Sequence, residues 1–543
     1  MYPWIYVIVL FGAALAVFFL LMHQLEKKKL KKYLSESWGN LHHTRHKKDS
    51  VESLQFSLIA QKSRQDFDSF VDDETWENLN LQEVYWQLNN TQTSLGAERL
   101  YSRMRLLQFS QDNDFESLKT YFSGHEAERE KLRFILAGLG KKNNNQAFQI
   151  VSDSGSENVK YDKLYVFFGI LPLLSLLLTL VNGMLGLALF IASVLFNIIF
   201  YLFRKYTLEL ELERMSYLVQ MIHVSKKMSE IDFPYKDKLA QDFKYFKFLN
   251  VLGYAFNYKN DFSDTSVLFE YLNAIFMIPF IASSQLKKKL NKHNSSIKEM
   301  LKIIADIDVA VAALSFLEFC DNGYCIPEFS ETKGVKASEI YHPLLEKPVS
   351  NSIDFTDNIL ISGDNASGKS TFMKTIAVNL LLAQSLNFAL AKEFSLSYGG
   401  IATSMNIGDN VLVKESHFVA EGRRIKELLD KISDSEFHYL FLDEIFSGTN
   451  SAERVSIGVS LMEWLSRENC LYMITTHDIE LIKTGKKFSS NYYFTSDFNG
   501  DGKNDYKIRS GISNKTNAIV TLEKLDYPKE IVENSRKKLK DFV

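Results

Sequence analysis

The stretch that decides the fold is Asn358-Ile359-Leu360-Ile361-Ser362-Gly363-Asp364-Asn365-Ala366-Ser367-Gly368-Lys369-Ser370-Thr371-Phe372-Met373. Its first five residues read as a short apolar strand and its last as the opening of a helix. Between them, Gly363 to Thr371 fits G-x-x-x-x-G-K-[ST] at every fixed position. The chemistry follows from the residue types. Gly363 and Gly368 let backbone N–H groups turn inward around phosphates, with Asp364, Asn365, Ala366 and Ser367 as the rest of the cradle. Lys369 reaches the β/γ oxygens, Ser370 offers a hydroxyl to Mg²⁺, and Thr371 sits where the helix points its positive end at the anion. The stretch predicts an ATP and Mg²⁺ site in an α/β domain.

Working outward, Phe437-His438-Tyr439-Leu440-Phe441-Leu442-Asp443-Glu444 reads as a buried parallel strand that ends in two carboxylates, a Walker B pattern. Asp443 is the candidate Mg²⁺ ligand, through water, and Glu444 the candidate base that orients and deprotonates an attacking water. A third strand, Cys470-Leu471-Tyr472-Met473-Ile474-Thr475-Thr476, runs into His477-Asp478, which places His477 to contact a γ-phosphate or position water. Taken alone, an acidic pair at a strand end would be read as a helix cap and His477 as a surface histidine. Their position downstream of the phosphate loop changes that reading.

The whole chain has 543 residues, enough for three or four domains of roughly 150 residues. Eight Pro and 25 Gly against 41 Phe and 25 Tyr favour long helices over a turn-rich β chain. A net charge of −3, from 63 basic and 66 acidic residues, excludes polyanion binding by bulk charge alone. Three cysteines supply no disulfide framework, which points to a reducing compartment.

The apolar residues are unevenly spread. Residues 3–22 carry no charge and match the ~20 residues of a membrane-crossing helix. Lys27-Lys28-Lys29-Leu30-Lys31-Lys32 then marks the cytoplasmic end. Leu164 to Phe203 is a second uncharged run of 40 residues, bounded by Lys163 and by Arg204-Lys205. Asn182-Gly183 near its middle supplies a turn through residues that accept positive φ, so the run reads as a hairpin of 164–181 and 185–203. The rival readings are a cleaved signal peptide for the first run and a buried core hairpin for the second. Three spans place both remaining parts of the chain on the cytoplasmic side of the cell (inner) membrane. The tract His42-His43-Thr44-Arg45-His46-Lys47-Lys48 has His42 and His46 at i,i+4 but no acidic or thiol ligand beside them, and reads as a basic stretch lying on anionic lipid.

These motifs resemble the MutS family of DNA-repair ATPases, whose ATPase domain is of the ABC class. Tyr341-His342-Pro343 looks like the His-Pro that opens that domain, and Tyr324-Cys325-Ile326-Pro327-Glu328-Phe329 like its Tyr-x-x-Pro-x-Phe approach. Asp443-Glu444-Ile445-Phe446-Ser447-Gly448-Thr449 and Thr475-Thr476-His477 are similar to two further family stretches. Ser416-His417-Phe418-Val419-Ala420-Glu421 matches the Ser-x-Phe-x-x-Glu signature where a transporter would show L-S-G-G-Q; just before it, Val411-Leu412-Val413-Lys414-Glu415 stands where relatives carry small and basic residues. Asn90-Thr91-Gln92-Thr93-Ser94-Leu95-Gly96-Ala97-Glu98-Arg99-Leu100 looks like the start of the family's helical lever, with its Thr-x-x-Gly-x-x-x-Leu pattern. The resemblance implies a homodimer in which Ser416 reaches the partner's nucleotide. It also implies a C-terminal helix-turn-helix, Gly511-Ile512-Ser513-Asn514-Lys515 through Val532, that braces the dimer, and it makes DNA a partner. No Phe-x-Glu precedes the lever region, so a standard mismatch reader is not implied.

The expected architecture is an α/β P-loop (ABC-class) ATPase domain, an all-α lever domain and three transmembrane helices. The boundaries are a transmembrane anchor at 1–25, a basic linker at 26–74 and a first lever part at 75–160. A transmembrane hairpin at 161–205, a second lever part at 206–330 and the ATPase domain at 331–543 follow. In the second lever part Ile303, Ile304, Ile307, Val311, Leu314 and Leu317 recur at helical intervals. Lys287-Lys288-Lys289-Leu290-Asn291-Lys292 could touch DNA phosphates or form a solvated helix face. Two functions stay open: an ATPase coupled to DNA, and an ATP-driven machine that passes lever motion to its membrane helices.

Overall fold

A computed structural model describes residues 21–22, 24–40, 50–62, 67–142, 146–153, 162–253, 265–363, 367–405, 417–432, 436–495, 504–512, 519, 522–523 and 526–542. The chain divides into two compact units. The first holds residues 1–65, 86–102 and 112–319; the second holds 66–85, 103–111 and 320–543. Residues 66–85 and 103–111, which the sequence sets in the linker and first lever part, thus pack with the ATPase chain.

The first unit is helical. Its central helix, Asn294–Phe319, is buried on nearly every side, so the apolar stripe expected from Ile303 to Leu317 widens to the whole circumference. Two aspartates inside it are matched. Asp306 pairs with Arg99 at 2.8 Å. Asp308 accepts the N–H groups of Gln92 and Thr93 and the Thr93 hydroxyl. Burial raises the pKa of Asp308 while those donors oppose the rise. A Cβ on Gly96 would stand 2.3 Å from the Asp308 carboxylate, which is the physical content of the Thr-x-x-Gly pattern.

The apolar hairpin differs from its expected form. Its first arm is Asp162–Leu178, with Pro172 inside, and its second runs unbroken from Gly183 to Met228, about 69 Å at 1.5 Å per residue. Asn182 has φ −138° and caps the second arm by accepting the Leu185 N–H at 3.2 Å, and Gly183 is not among the positive-φ residues. The turn is therefore a helix cap, because a carboxamide satisfies an end N–H that a reversed dipeptide would leave bare.

Three transmembrane helices are not supported. Among the described residues one helix, Gly183–Leu208, is long and apolar enough to cross a membrane, while Lys163–Leu178 is shorter. Residues 3–20 of the first expected span lie outside the described residues, as do His42 and His46. Instead a third apolar helix, Thr265–Phe276, packs with the hairpin and continues after Met277 (φ 53°) into Ile278–Lys292. Pro279 stands four residues after Ile275 and has no N–H for its carbonyl. The buried Asn197 amide supplies that bond, donating to Ile275 O at 2.7 Å and to Phe168 O at 2.8 Å.

All twelve described strands lie in the second unit. They are β1 (Ser69–Phe70), β2 (Leu106–Leu107), β3 (Glu328–Phe329), β4 (Val335–Ile340), β5 (Asn351–Phe355), β6 (Ile359–Ser362), β7 (Glu393–Leu396), β8 (Gly400–Ser404), β9 (His438–Asp443), β10 (Cys470–Thr476), β11 (Ser490–Tyr493) and β12 (Arg509–Ser510). The main sheet has the order β12-β11-β6-β10-β9-β8, with every pair parallel except β11 and β12. β6 is buried throughout, as a parallel strand covered on both faces must be. A smaller sheet, β3-β7-β4-β5, is tied to the main one by Tyr439, whose hydroxyl donates to Gly334 O or Ser397 O at 2.9 Å. Register sets the site: Thr476 lies opposite Ser362, and Thr475 opposite Asp443, so three strand ends finish level. Ligands of parallel α/β sheets bind at that edge.

Candidate functional site

The phosphate loop leaves β6 at Gly363, whose φ of 145° suits glycine and whose added Cβ would stand 2.4 Å from Phe494 O. Gly368, at φ 105°, caps the helix Lys369–Leu386. Lys369 is buried and its Nζ donates to Gly363 O at 2.7 Å, closing the loop on itself. The buried Ser367 hydroxyl has no hydrogen-bond partner among the described residues. An orphaned donor, a glycine cradle and a helix N-terminus together fit a bound polyphosphate. Ser370 and Thr371 lie in the first helical turn; Asp364, Asn365 and Ala366 lie outside the described residues.

One flank of the loop escaped the sequence reading. Phe494 follows β11, donates its N–H to Ser362 O at 2.9 Å and meets the Phe372 ring at 5.6 Å. The Tyr506 ring lies 3.2 Å from where a Gly368 Cβ would be and is half exposed. Asn351 holds it there, donating to Tyr506 O at 3.0 Å and accepting the Ile508 N–H at 2.9 Å. No motif marks Tyr506, because it is brought in by a residue 155 positions away.

The acidic strand end lies across β10. Thr475 donates its hydroxyl to Asp443, and the Glu444 N–H donates to Thr475 O at 3.0 Å. Glu444 and Phe446 take φ of 50° and 56°, left-handed values that cost a non-glycine residue about 1–2 kcal/mol each. The turn thereby aims Glu444 at His477, with Oε1 3.3 Å from Nδ1. The hydrogen bond to His477 holds the Glu444 carboxyl below its usual range, against burial, with Lys369 and Arg454 adding to the effect. The same bond raises His477. Asp478 fixes the backbone beside it, capping the helix Ile479–Gly485 and accepting from Arg454 at 3.0 and 3.2 Å. Lys369, Glu444 and His477 are thus brought within electrostatic reach of one another.

Of the signature segment, Ser416 and Val411 to Glu415 lie outside the described residues. Phe418 packs on Phe446 at 6.1 Å, and the buried Glu421 accepts the Phe446 N–H. His342 is buried, accepts the Leu344 N–H at 3.2 Å, and is pushed down to about 4 by burial, so it is neutral at pH 7. In the C-terminal stretch the Gly511 N–H donates to Asn491 O at 2.8 Å, and Lys529–Phe542 forms a helix with Val532 buried; Ser513, Asn514 and Lys515 lie outside the described residues. Within the lysine cluster, Lys287 pairs with Glu211 at 2.7 Å.

A parallel sheet with a glycine-rich phosphate loop after one strand, an acidic pair after its second neighbour and a histidine after the strand between them defines a P-loop ATPase module. Residues 359–543 match the MutS domain V family. The DNA mismatch repair protein MutS of Thermus thermophilus is 29% identical over 257 residues, 46% of this chain and 31% of that protein. Endonuclease MutS2 of Streptococcus uberis is 29% identical over 259 residues, 46% and 33% of the two chains. MutS protein homolog 4 of Mus musculus is 28% identical over 222 residues, 39% and 22%. The chain carries a MutS-family ATPase domain. The match spans about a third or less of each of these relatives.

Proposed function

We propose that the protein binds and hydrolyses ATP and couples the cycle to DNA binding as a membrane-anchored homodimer. The observation that carries the hydrolytic part is the Glu444–His477 pair facing the Lys369 loop across adjacent strand ends. Gly363 to Thr371 would hold the phosphates, with the Lys369 ammonium released from Gly363 O to the β/γ oxygens. Ser370 and Asp443 would hold Mg²⁺, which neutralises charge developing on the phosphate oxygens. Glu444, kept ionised by His477, takes a proton from the attacking water while His477 faces the γ-phosphate. Ser416 of a second copy would close the site. Tyr506 offers an aromatic face to the base.

DNA enters through the relatives, two of which are named for DNA mismatch repair or as a nuclease. The membrane enters through the hairpin, where Leu180, Val181 and Met184 are more than 80% exposed at the tip and apolar side chains continue outward along both arms. On this reading the ATPase would lie at the cytoplasmic face of the cell membrane, a position that the exposed apolar hairpin supports. A second reading, favoured by the same exposed hairpin, is an ATP-driven machine that moves its membrane helices without DNA. An ATPase assay of the detergent-solubilised chain, with and without homoduplex, mismatched and branched DNA, separates the two. Stimulation and salt-sensitive binding by one DNA form supports the first; ATP turnover indifferent to every DNA supports the second.

A further inference from the structure

The helix His417–Ile432 carries two buried charged residues one turn apart, Glu421 and Arg424. Both reach the backbone or side chains of other elements of the second unit. Glu421 accepts the N–H of Phe446, two residues after Glu444. On the other side of that turn the Glu444 N–H is held by Thr475 O at 3.0 Å. The segment from Glu444 to Phe446, with its two left-handed residues, is therefore pinned at both ends, once by β10 and once by Glu421.

Arg424 anchors the same helix. Its Nε and Nη2 donate to Thr403 O at 3.0 and 2.8 Å, and its guanidinium meets both Asp72 oxygens at 3.1 Å and the Thr75 hydroxyl at 3.1 Å. Asp72 also takes Lys431 and caps the helix Asp73–Asn78. Asn78 closes the set by donating to the Thr403 hydroxyl at 3.0 Å. The signature helix is thus fixed against β8 and against a segment 350 residues upstream, and Glu421 projects from that fixed helix.

We propose that Glu421 is a positioning residue for hydrolysis. Its carboxylate holds the turn that aims Glu444 at His477, and the Asp72–Arg424 contact fixes the helix from which it acts. A shift of the helix His417–Ile432 would then move the Glu444 turn directly. This rests on Glu444 being the hydrolytic base. A backbone displacement of this kind changes the placement of a catalytic group and leaves the phosphate cradle, on β6, as it was.

The test is kcat and KM for ATP of the full chain in detergent, with affinity for a fluorescent ATP analogue, for Glu421→Ala, Glu421→Gln, Glu421→Asp and Glu444→Gln. Glu421→Ala is expected to lower kcat about 100-fold with analogue affinity within about threefold of wild type. Glu421→Gln keeps an acceptor at the same reach and is expected to restore most of kcat; Glu421→Asp, one methylene shorter, is not. Wild-type turnover in Glu421→Ala overturns the proposal, and so does a fall in affinity that matches the fall in kcat. If the alanine variant does not fold, equal rates for the Gln and Asp variants overturn it. Wild-type turnover in Glu444→Gln instead removes the hydrolytic reading itself.

Discussion

The ATPase edge and the apolar hairpin are built on opposite rules. At the ATPase edge named polar groups meet named partners: Lys369 on Gly363, Thr475 on Asp443, Glu444 on His477 and Asp478 on Arg454. In the hairpin a run of exposed apolar side chains is interrupted by one buried amide, Asn197, that serves two carbonyls. The first region is specified by which atom meets which. The second is specified by composition, and composition leaves its surroundings open, because a lipid-facing helix and a helix covered by another apolar surface need the same residues.

The difference can be broken most sharply at Lys369. Lys369→Ala removes the one cation inside the loop and is expected to abolish nucleotide binding, read by titration with a fluorescent ATP analogue, while the hairpin is untouched. Retained binding would show that the cradle does not depend on the lysine.

A smaller effect is expected at Asp72. Burial opposes its ionisation, but the hydrogen bonds and charge of Arg424, with Lys431, outweigh burial and hold the carboxyl well below its ordinary value. Asp72→Asn should destabilise the protein at pH 7 by about 3 kcal/mol, the cost of leaving a buried guanidinium short of its partner. A depressed folded pKa contributes stability that is present above the unfolded value of ~3.9 and lost as pH falls through the folded one. The gap between wild type and variant should therefore narrow below about pH 4, in urea melts followed across pH. A gap constant with pH would mean that Asp72 acts by shape alone.

The smallest effect tests the hairpin. Asn197→Leu keeps the volume and removes both donated bonds, leaving the Phe168 and Ile275 carbonyls bare at a cost of about 1–3 kcal/mol. Thermal unfolding in detergent reads it. An unchanged melting temperature would mean that those carbonyls find other donors.

The same contrast explains what was legible in the sequence. Strand, loop and helix around Gly363 to Thr371 are contiguous, so their order could be read directly, and the apolar runs ending at Asp443 and Thr476 announced two further parallel strands. The partners that complete these elements are remote in sequence. Tyr506 depends on Asn351, Glu421 on Phe446, and Arg424 on Asp72, and none of these pairs has a spacing rule. In the hairpin the error ran the other way. A 40-residue run of apolar residues reads as two equal spans, whereas the Asn182 cap separates a 17-residue arm, Asp162–Leu178, from a 46-residue helix, Gly183–Met228, that continues well past the end of the run. The third helix was hidden because Glu270 and Asn273 interrupt its apolar pattern.

We propose Glu444, aimed by a left-handed turn and kept ionised by His477, as the base for ATP hydrolysis. Single-turnover hydrolysis of pre-bound ATP by Glu444→Gln tests it most directly. The expected result is tight ATP binding with hydrolysis slowed at least about 100-fold, within the range by which general base catalysis accelerates a reaction. Hydrolysis of the bound ATP at the wild-type rate would contradict it.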